Sequence, residues 1–178
     1  MTPAHEAPTL GVDAREGIFG PPGWTRTSGV ADLLAPFLET WRGPGADFAR
    51  FGGIGAHEAL ALAEALPSAN LNDRQNDAPR VATLLGAAGH GGGAVELYGY
   101  LVSAPRWDER VSLDALVVPG APASRSAGEA MTWGSARRAL WDDLATRFGL
   151  ADGAHPPEEL VWMPRGADDA PGWWLWWD

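Results

Sequence analysis

The sequence predicts an α+β domain. Three N-terminal helices lead into a β-hairpin, a further helix and a second β-hairpin, and the hairpins form a mainly antiparallel four-stranded sheet with helices packed on one face. Three observations carry this. Apolar residues recur at helical spacing in three segments before residue 90 and in one around residue 140. Apolar and polar residues alternate in two stretches between Val95 and Val118. Four of the ten tryptophans crowd into Gly172-Trp173-Trp174-Leu175-Trp176-Trp177-Asp178. A chain of 178 residues is one domain on size. It buries about 70% of its unfolded surface and needs no disulfide or metal staple.

Residues 1–27 read as an irregular or partly disordered arm, because Pro3, Pro8, Gly11, Gly17, Gly20, Pro21, Pro22 and Gly23 interrupt every period. Ile18, Phe19 and Trp24 are its candidate anchors. Residues 28–178 form the single α+β domain. Its first helix carries the stripe Val30, Leu33, Leu34, Phe37, Leu38 and Trp41, with Ser28 as cap, Gly43-Pro44 as stop and a kink at Pro36. The second spans about 56–66, with Leu60, Ala63 and Leu66 inward and Pro67 ending it. The third spans about 78–88, capped by Asp77, with Val81, Leu84, Leu85 and Ala88 inward.

The period then changes to two. Val95, Leu97, Gly99 and Leu101 alternate with Glu96, Tyr98, Tyr100 and Val102. Val111, Leu113, Ala115 and Val117 alternate with Ser112, Asp114, Leu116 and Val118, so the two runs read as a hairpin closed by residues 105–109. Residues 119–128 are a loop. The fourth helix spans about 128–148, with Trp133, Ala136, Leu140, Trp141, Leu144 and Phe148 on one side and Gly149 as its stop. Residues 160–163 and 173–177 make the second hairpin.

Charge and composition exclude much chemistry. Thirteen basic residues against 23 acidic ones leave a net charge of −10. That speaks against nucleic acid and anionic membranes, whose binders present basic patches. All the basic residues are arginine, so no lysine is present to form a Schiff base or bind a phosphate loop. With no cysteine there is no thiolate nucleophile, thiolate metal site or disulfide. No basic-then-apolar leader opens the chain and no apolar run approaches the roughly 18 residues of a membrane span, so a cytoplasmic location is expected.

Motifs are sparse. His5, His57, His90 and His155 show no metal-ligand spacing, and the glycines after His90 precede a strand where a phosphate loop would follow one. No serine lies in a nucleophile elbow. No catalytic residue, metal or cofactor is implied, and the balance leans away from an enzyme. The most polar stretch, residues 70–77, is a candidate ligand loop: Arg74 would grip an anion, and Asn72, Asp73 and Asp77 would orient it. The competing reading is a connection whose side chains satisfy their own turns. Arg106 and Trp107 in the hairpin loop are further ligand candidates, against a solvated turn with local ion pairs.

The tryptophan strand offers the strongest lead. Trp173, Leu175 and Trp177 face one side, and Trp174 and Trp176 the other. One side serves the core. The other, with Trp162, is a candidate surface for a homodimer or a partner protein. The expected function is therefore a non-enzymatic interaction module working through its C-terminal hairpin. The alternative is a small-molecule-binding protein or enzyme with its pocket between the sheet and the 70–77 loop.

Overall fold

The computed structural model describes residues 17–39, 47–120, 134–164 and 171–178. The α+β class is present, with one five-stranded antiparallel sheet where the sequence predicts four strands. The additional strand, β1 (Phe48–Ile54), follows the segment read as the stop of the first helix. The others are β2 (Glu96–Val102), β3 (Arg110–Pro119), β4 (Glu159–Met163) and β5 (Gly172–Trp176), in the spatial order β1-β2-β3-β5-β4. The two predicted hairpins are β2–β3 and β4–β5. β3 pairs with β5, which joins them into one sheet.

The end of the segment read as an irregular arm is helical, and it precedes the first predicted helix. Gly29, at φ 80°, separates α1 (Trp24–Thr27) from α2 (Val30–Leu34). A 3-10 turn over Ala35–Phe37 carries Pro36. Ser28 closes α1 and does not cap a longer helix. Leu38 then leaves the helix and bridges to Phe51 of β1. Pro36 has no amide hydrogen to continue an α-helix, and the helical run ends at Phe37, short of the predicted Trp41. Trp41 and Gly43-Pro44 lie outside the described residues.

α3 (Ala56–Ala65) spans the predicted range but buries Ala59, Leu62 and Leu66, leaving the predicted Leu60 and Ala63 exposed, and a short α4 (Ser68–Leu71) follows Pro67. α5 runs Val81–His90, three residues later than predicted. Asp77 is not its cap: the Asp77 carbonyl accepts Ala154 N at 2.9 Å. α6 runs Ser135–Phe148 and ends at Gly149, whose φ of 69° is the left-handed closure glycine adopts readily. The predicted start of that helix, the 119–128 loop beyond Gly120 and the tip of the second hairpin lie outside the described residues. So do residues 1–16 of the arm.

A single apolar cluster joins helices and sheet. It draws Leu62 from α3, Leu84 and Leu85 from α5 and Trp141 and Leu144 from α6. The sheet contributes Phe51, Leu97, Leu101, Leu113, Leu160, Trp173, Leu175 and, just past β5, Trp177. The remainder of β3 departs from simple alternation. Its register to β2 shifts between Tyr98 and Gly99, which places Asp114 in a bulge. The extra residue turns the second half of the strand over. Val111 and Leu113 join the core, and beyond the bulge Leu116 and Val118 replace the predicted Ala115 and Val117.

β5 pairs only with Ala115–Pro119, so the first half of β3 extends past it. A side chain stands in for the missing strand. The Asn70 carboxamide donates to the Val111 carbonyl at 2.9 Å and accepts the Val111 amide at 3.0 Å. Asn70 is fully buried. Asn70→Ala orphans a buried donor and a buried acceptor together, and is expected to cost about 2–4 kcal/mol in urea unfolding. A cost below about 1 kcal/mol would show that water replaces the carboxamide.

Among the described residues no helix is long and apolar enough to cross a membrane.

Candidate functional site

The face of the sheet turned away from the core contains the residues most suited to recognition. Phe48 and Arg50 of β1, Tyr98 and Tyr100 of β2, Ser112 and Asp114 of β3, Trp174 and Trp176 of β5 and Glu159 and Val161 of β4 share it by register. None of these side chains belongs to the apolar core cluster.

Aromatic rings form a diagonal band across this face. Phe48 packs on Tyr100 with centroids 5.3 Å apart and an interplanar angle of 31°. Tyr98 meets Trp174 edge-to-face at 5.1 Å and 73°, although their strands are separated by β3. Ala115 and Val117, turned outward by the bulge, are small enough to let the two rings meet over β3. Trp174 and Trp176 are half-buried, and Phe48 is 47% exposed.

An ion pair crosses the band. Arg50 Nη2 donates to Asp114 Oδ2 at 2.7 Å, from a half-exposed arginine to a carboxylate whose side chain is 7% exposed. Gly52 makes room beside it: a Cβ there would stand 2.6 Å from the Tyr98 ring and 3.2 Å from Glu39 Oε1. Burial raises the Asp114 carboxyl above its ordinary value of 3.8; the Arg50 guanidinium opposes this, and nearby Glu39 adds to the rise. The native state therefore holds this proton to higher pH than the unfolded chain does. Between 3.8 and the raised value, stability contributed by this group falls as pH increases. Asp114→Asn is expected to gain on the wild type in unfolding free energy as pH rises through that window to neutrality. A difference moving the other way would make the Arg50 pairing dominant over burial.

The 70–77 loop meets one end of this face through Gln75, which the sequence reading passed over. Gln75 Oε1 accepts Tyr100 Oη at 2.7 Å and Ser112 Oγ at 3.0 Å. Tyr100 Oη in turn accepts Arg110 Nη2 at 3.4 Å, and the Arg110 guanidinium lies 5.5 Å from the Tyr100 ring centroid. Arg110 and Arg106 both pair with Asp108, at 3.1 and 2.7 Å. This holds the Asp108 carboxyl below its ordinary range, chiefly through the Arg106 hydrogen bond. Arg106 is thus linked to the loop by a chain of polar contacts, while Trp107 stands 55% exposed at the hairpin tip.

The other loop candidates hold the chain to itself. Arg74 Nη1 donates to the carbonyls of Asp152 at 2.9 Å and Ala78 at 3.4 Å. Asn72 Nδ2 donates to the Ser68 carbonyl at 2.8 Å. The Asp73 carbonyl accepts Val81 N at 2.9 Å, and Asp77 Oδ2 lies 3.3 Å from His155 Nδ1. Trp162 sits on the core side opposite Trp173, its indole N–H donating to the Gly120 carbonyl at 3.2 Å. The structure therefore groups Trp174 with Trp176 and sets Trp162 apart. Sequence alternation pointed to Tyr98 and Tyr100; Phe48, Arg50 and Asp114 needed the unpredicted strand and bulge.

A separate cleft of about 540 Å³ lies where α5 and α6 end, lined by Thr83, Ala87, His90, Thr146, Arg147 and Phe148 among others. His90 Nδ1 lies 2.9 Å from the Gly86 carbonyl, and Arg147 faces Asp143 at 3.4 Å. His90 stands in the last turn of α5 and Arg147 in the last turn of α6, where the arginine's positive charge complements the helix dipole. Among the described residues no group of three or more His, Asp or Glu side chains is placed to hold a metal ion.

Comparisons with protein-family models, with curated proteins and with solved structures find no match to this chain.

Proposed function

We propose that this chain is a protein-binding module whose contact surface is the face of its sheet turned away from the apolar core cluster, centred on Trp174 and Trp176. One observation carries the reading: these two indoles project from a central strand on the side away from the core, and they are half-buried. Indoles combine large apolar area with low conformational entropy and anchor interfaces more often than other residues. The neighbouring Tyr98, Val161 and Met163 are half-buried too, extending the apolar surface. Arg50, held by Asp114, adds a fixed polar contact.

Selection from a random-peptide display library on the immobilised chain tests the reading. Clones enriched on the wild type should lose binding to Trp174→Ser/Trp176→Ser by tenfold or more. The variant should keep its unfolding free energy to within about 2 kcal/mol, since both side chains already contact water. Equal binding to the variant, or its unfolding, would overturn the assignment. A dimer in native mass spectrometry that the same pair disperses would place a second copy on this face.

A further inference from the structure

The partner class follows from the charges around the two indoles. We infer that the segment docking on Trp174 and Trp176 is basic, an arginine- or lysine-rich stretch whose cations lie over the indole faces and reach Glu159. This rests on the protein-binding reading and narrows it.

The arginines of this face are already answered. Arg50 is held by Asp114, and Arg106 and Arg110 by Asp108, all within 3.1 Å. They lie toward the β1 and hairpin-loop end. Carboxylates dominate the other end. Glu159, exposed and opposite Trp176, accepts Trp174 Nε1 at 3.1 Å. That bond turns the edge of the indole to the carboxylate. Glu158 and Asp178, both exposed, adjoin it, with Glu158 Oε2 accepting the Asp178 amide at 3.2 Å. Among the described residues Arg137 is electrostatically coupled to Glu158 and Glu159, but it is buried and donates to the backbone carbonyls of Pro157 and Glu158, and the three carboxylates remain exposed to solvent.

An aromatic surface flanked by carboxylates is matched by a cation that can stack on the ring and pair at its edge. Guanidinium does both. The net charge of −10 acts in the same sense at long range: it attracts a basic chain and repels a second copy of this one. The aromatic half of the match gives orientation, so the attraction is local as well as diffuse.

The test uses the full chain and three synthetic twelve-residue peptides: arginine–glycine repeats, glutamate–glycine repeats and a neutral leucine–serine repeat. Binding is followed by tryptophan fluorescence and calorimetry at low and at 0.5 M salt. The expected result is saturable binding of the arginine peptide alone, weakened tenfold or more by salt. Trp174→Ser/Trp176→Ser should weaken it at least tenfold and Glu159→Gln at least threefold, with both variants folded by circular dichroism. Arginine-peptide binding unchanged in the tryptophan variant would be diffuse attraction to an acidic surface and would overturn the inference. Preference for the neutral peptide, lost in the same variant, would overturn the basic partner yet keep the docking face. No binding of any peptide, together with no clones from library selection, would remove both.

Discussion

Replacing Trp177 with alanine is expected to lower the unfolding free energy by about 3–5 kcal/mol, against a total of about 5–15 for a domain of this kind. Trp177 is fully buried, packs edge-to-face on Trp141 of α6 at 5.9 Å and 76°, and donates its indole N–H to the His155 carbonyl at 3.1 Å. Its own amide donates to the Asp114 carbonyl at 2.9 Å, extending the pairing of β3 beyond the last residue of β5. Truncation leaves a cavity between the sheet and α6, and neither a strand nor a helix end collapses easily to fill it. Urea midpoints at unchanged slope give the measurement. Trp177→Phe should recover part of the loss, because it keeps a ring against Trp141 and forfeits the hydrogen bond. A cost below about 1 kcal/mol for the alanine variant would mean that the core lies on the other face of β5, and the docking surface with it.

That contrast between neighbouring tryptophans was legible in the sequence as an alternation, but which face pointed inward was not. Period two assigns Trp174 and Trp176 to a common side; only the packing of α6 on Trp177 decides which side is covered. In β3 the same rule misleads. One residue in a bulge at Asp114 reverses the strand, so Ala115 and Val117 turn, still buried, to the opposite face and Leu116 and Val118 enter the apolar cluster. Nothing in an apolar run of Ala115-Leu116-Val117-Val118 marks that reversal, because either register buries hydrophobic side chains. β1 escapes the periodicity for a different reason. Phe48-Ala49-Arg50-Phe51 shows no clean apolar–polar alternation before Gly52-Gly53, and glycine pairs argue against a strand interior. Here they serve it: Gly53, at φ 76°, lies in the register shift between Phe51 and Ile54. Asp77 has the residue type of a helix cap, but the extended Arg80 stands at the start of α5, and the Asp77 carbonyl accepts Ala154 N instead. The candidate site inherits these limits. Its tryptophans and tyrosines follow from alternation, while Arg50 with Asp114, and Gln75 with Tyr100, are pairings over long sequence separations.

Glu109→Ala is expected to cost about 3 kcal/mol and to free the N-terminal segment from the body of the domain. α1 has four residues, too few to persist alone, and its left-handed N-cap, Gly23, has no side chain to accept the first amides. The acceptor comes from the β2–β3 hairpin, 86 positions away. The Glu109 carboxylate accepts the Gly23 amide, Thr25 Oγ at 2.6 Å and the Thr25 amide at 3.3 Å, and its backbone carbonyl accepts Trp24 Nε1 at 3.3 Å. Glu109 is 2% exposed, Thr25 fully buried and Trp24 3% exposed, so water cannot replace the lost acceptor without opening this corner of the core. Glu109→Gln should be intermediate. It retains one acceptor oxygen but sets an amide group against donors. Combining Glu109→Gln with Thr25→Val should give a coupling of about 1 kcal/mol or more, since the two groups meet in the fold. Trypsin supplies a second readout at Arg26, which lies within α1: cleavage there should accelerate at least tenfold in Glu109→Ala while the sheet remains folded. Additive stabilities and unchanged cleavage would show that Trp24 alone, through its buried indole, holds the segment in place.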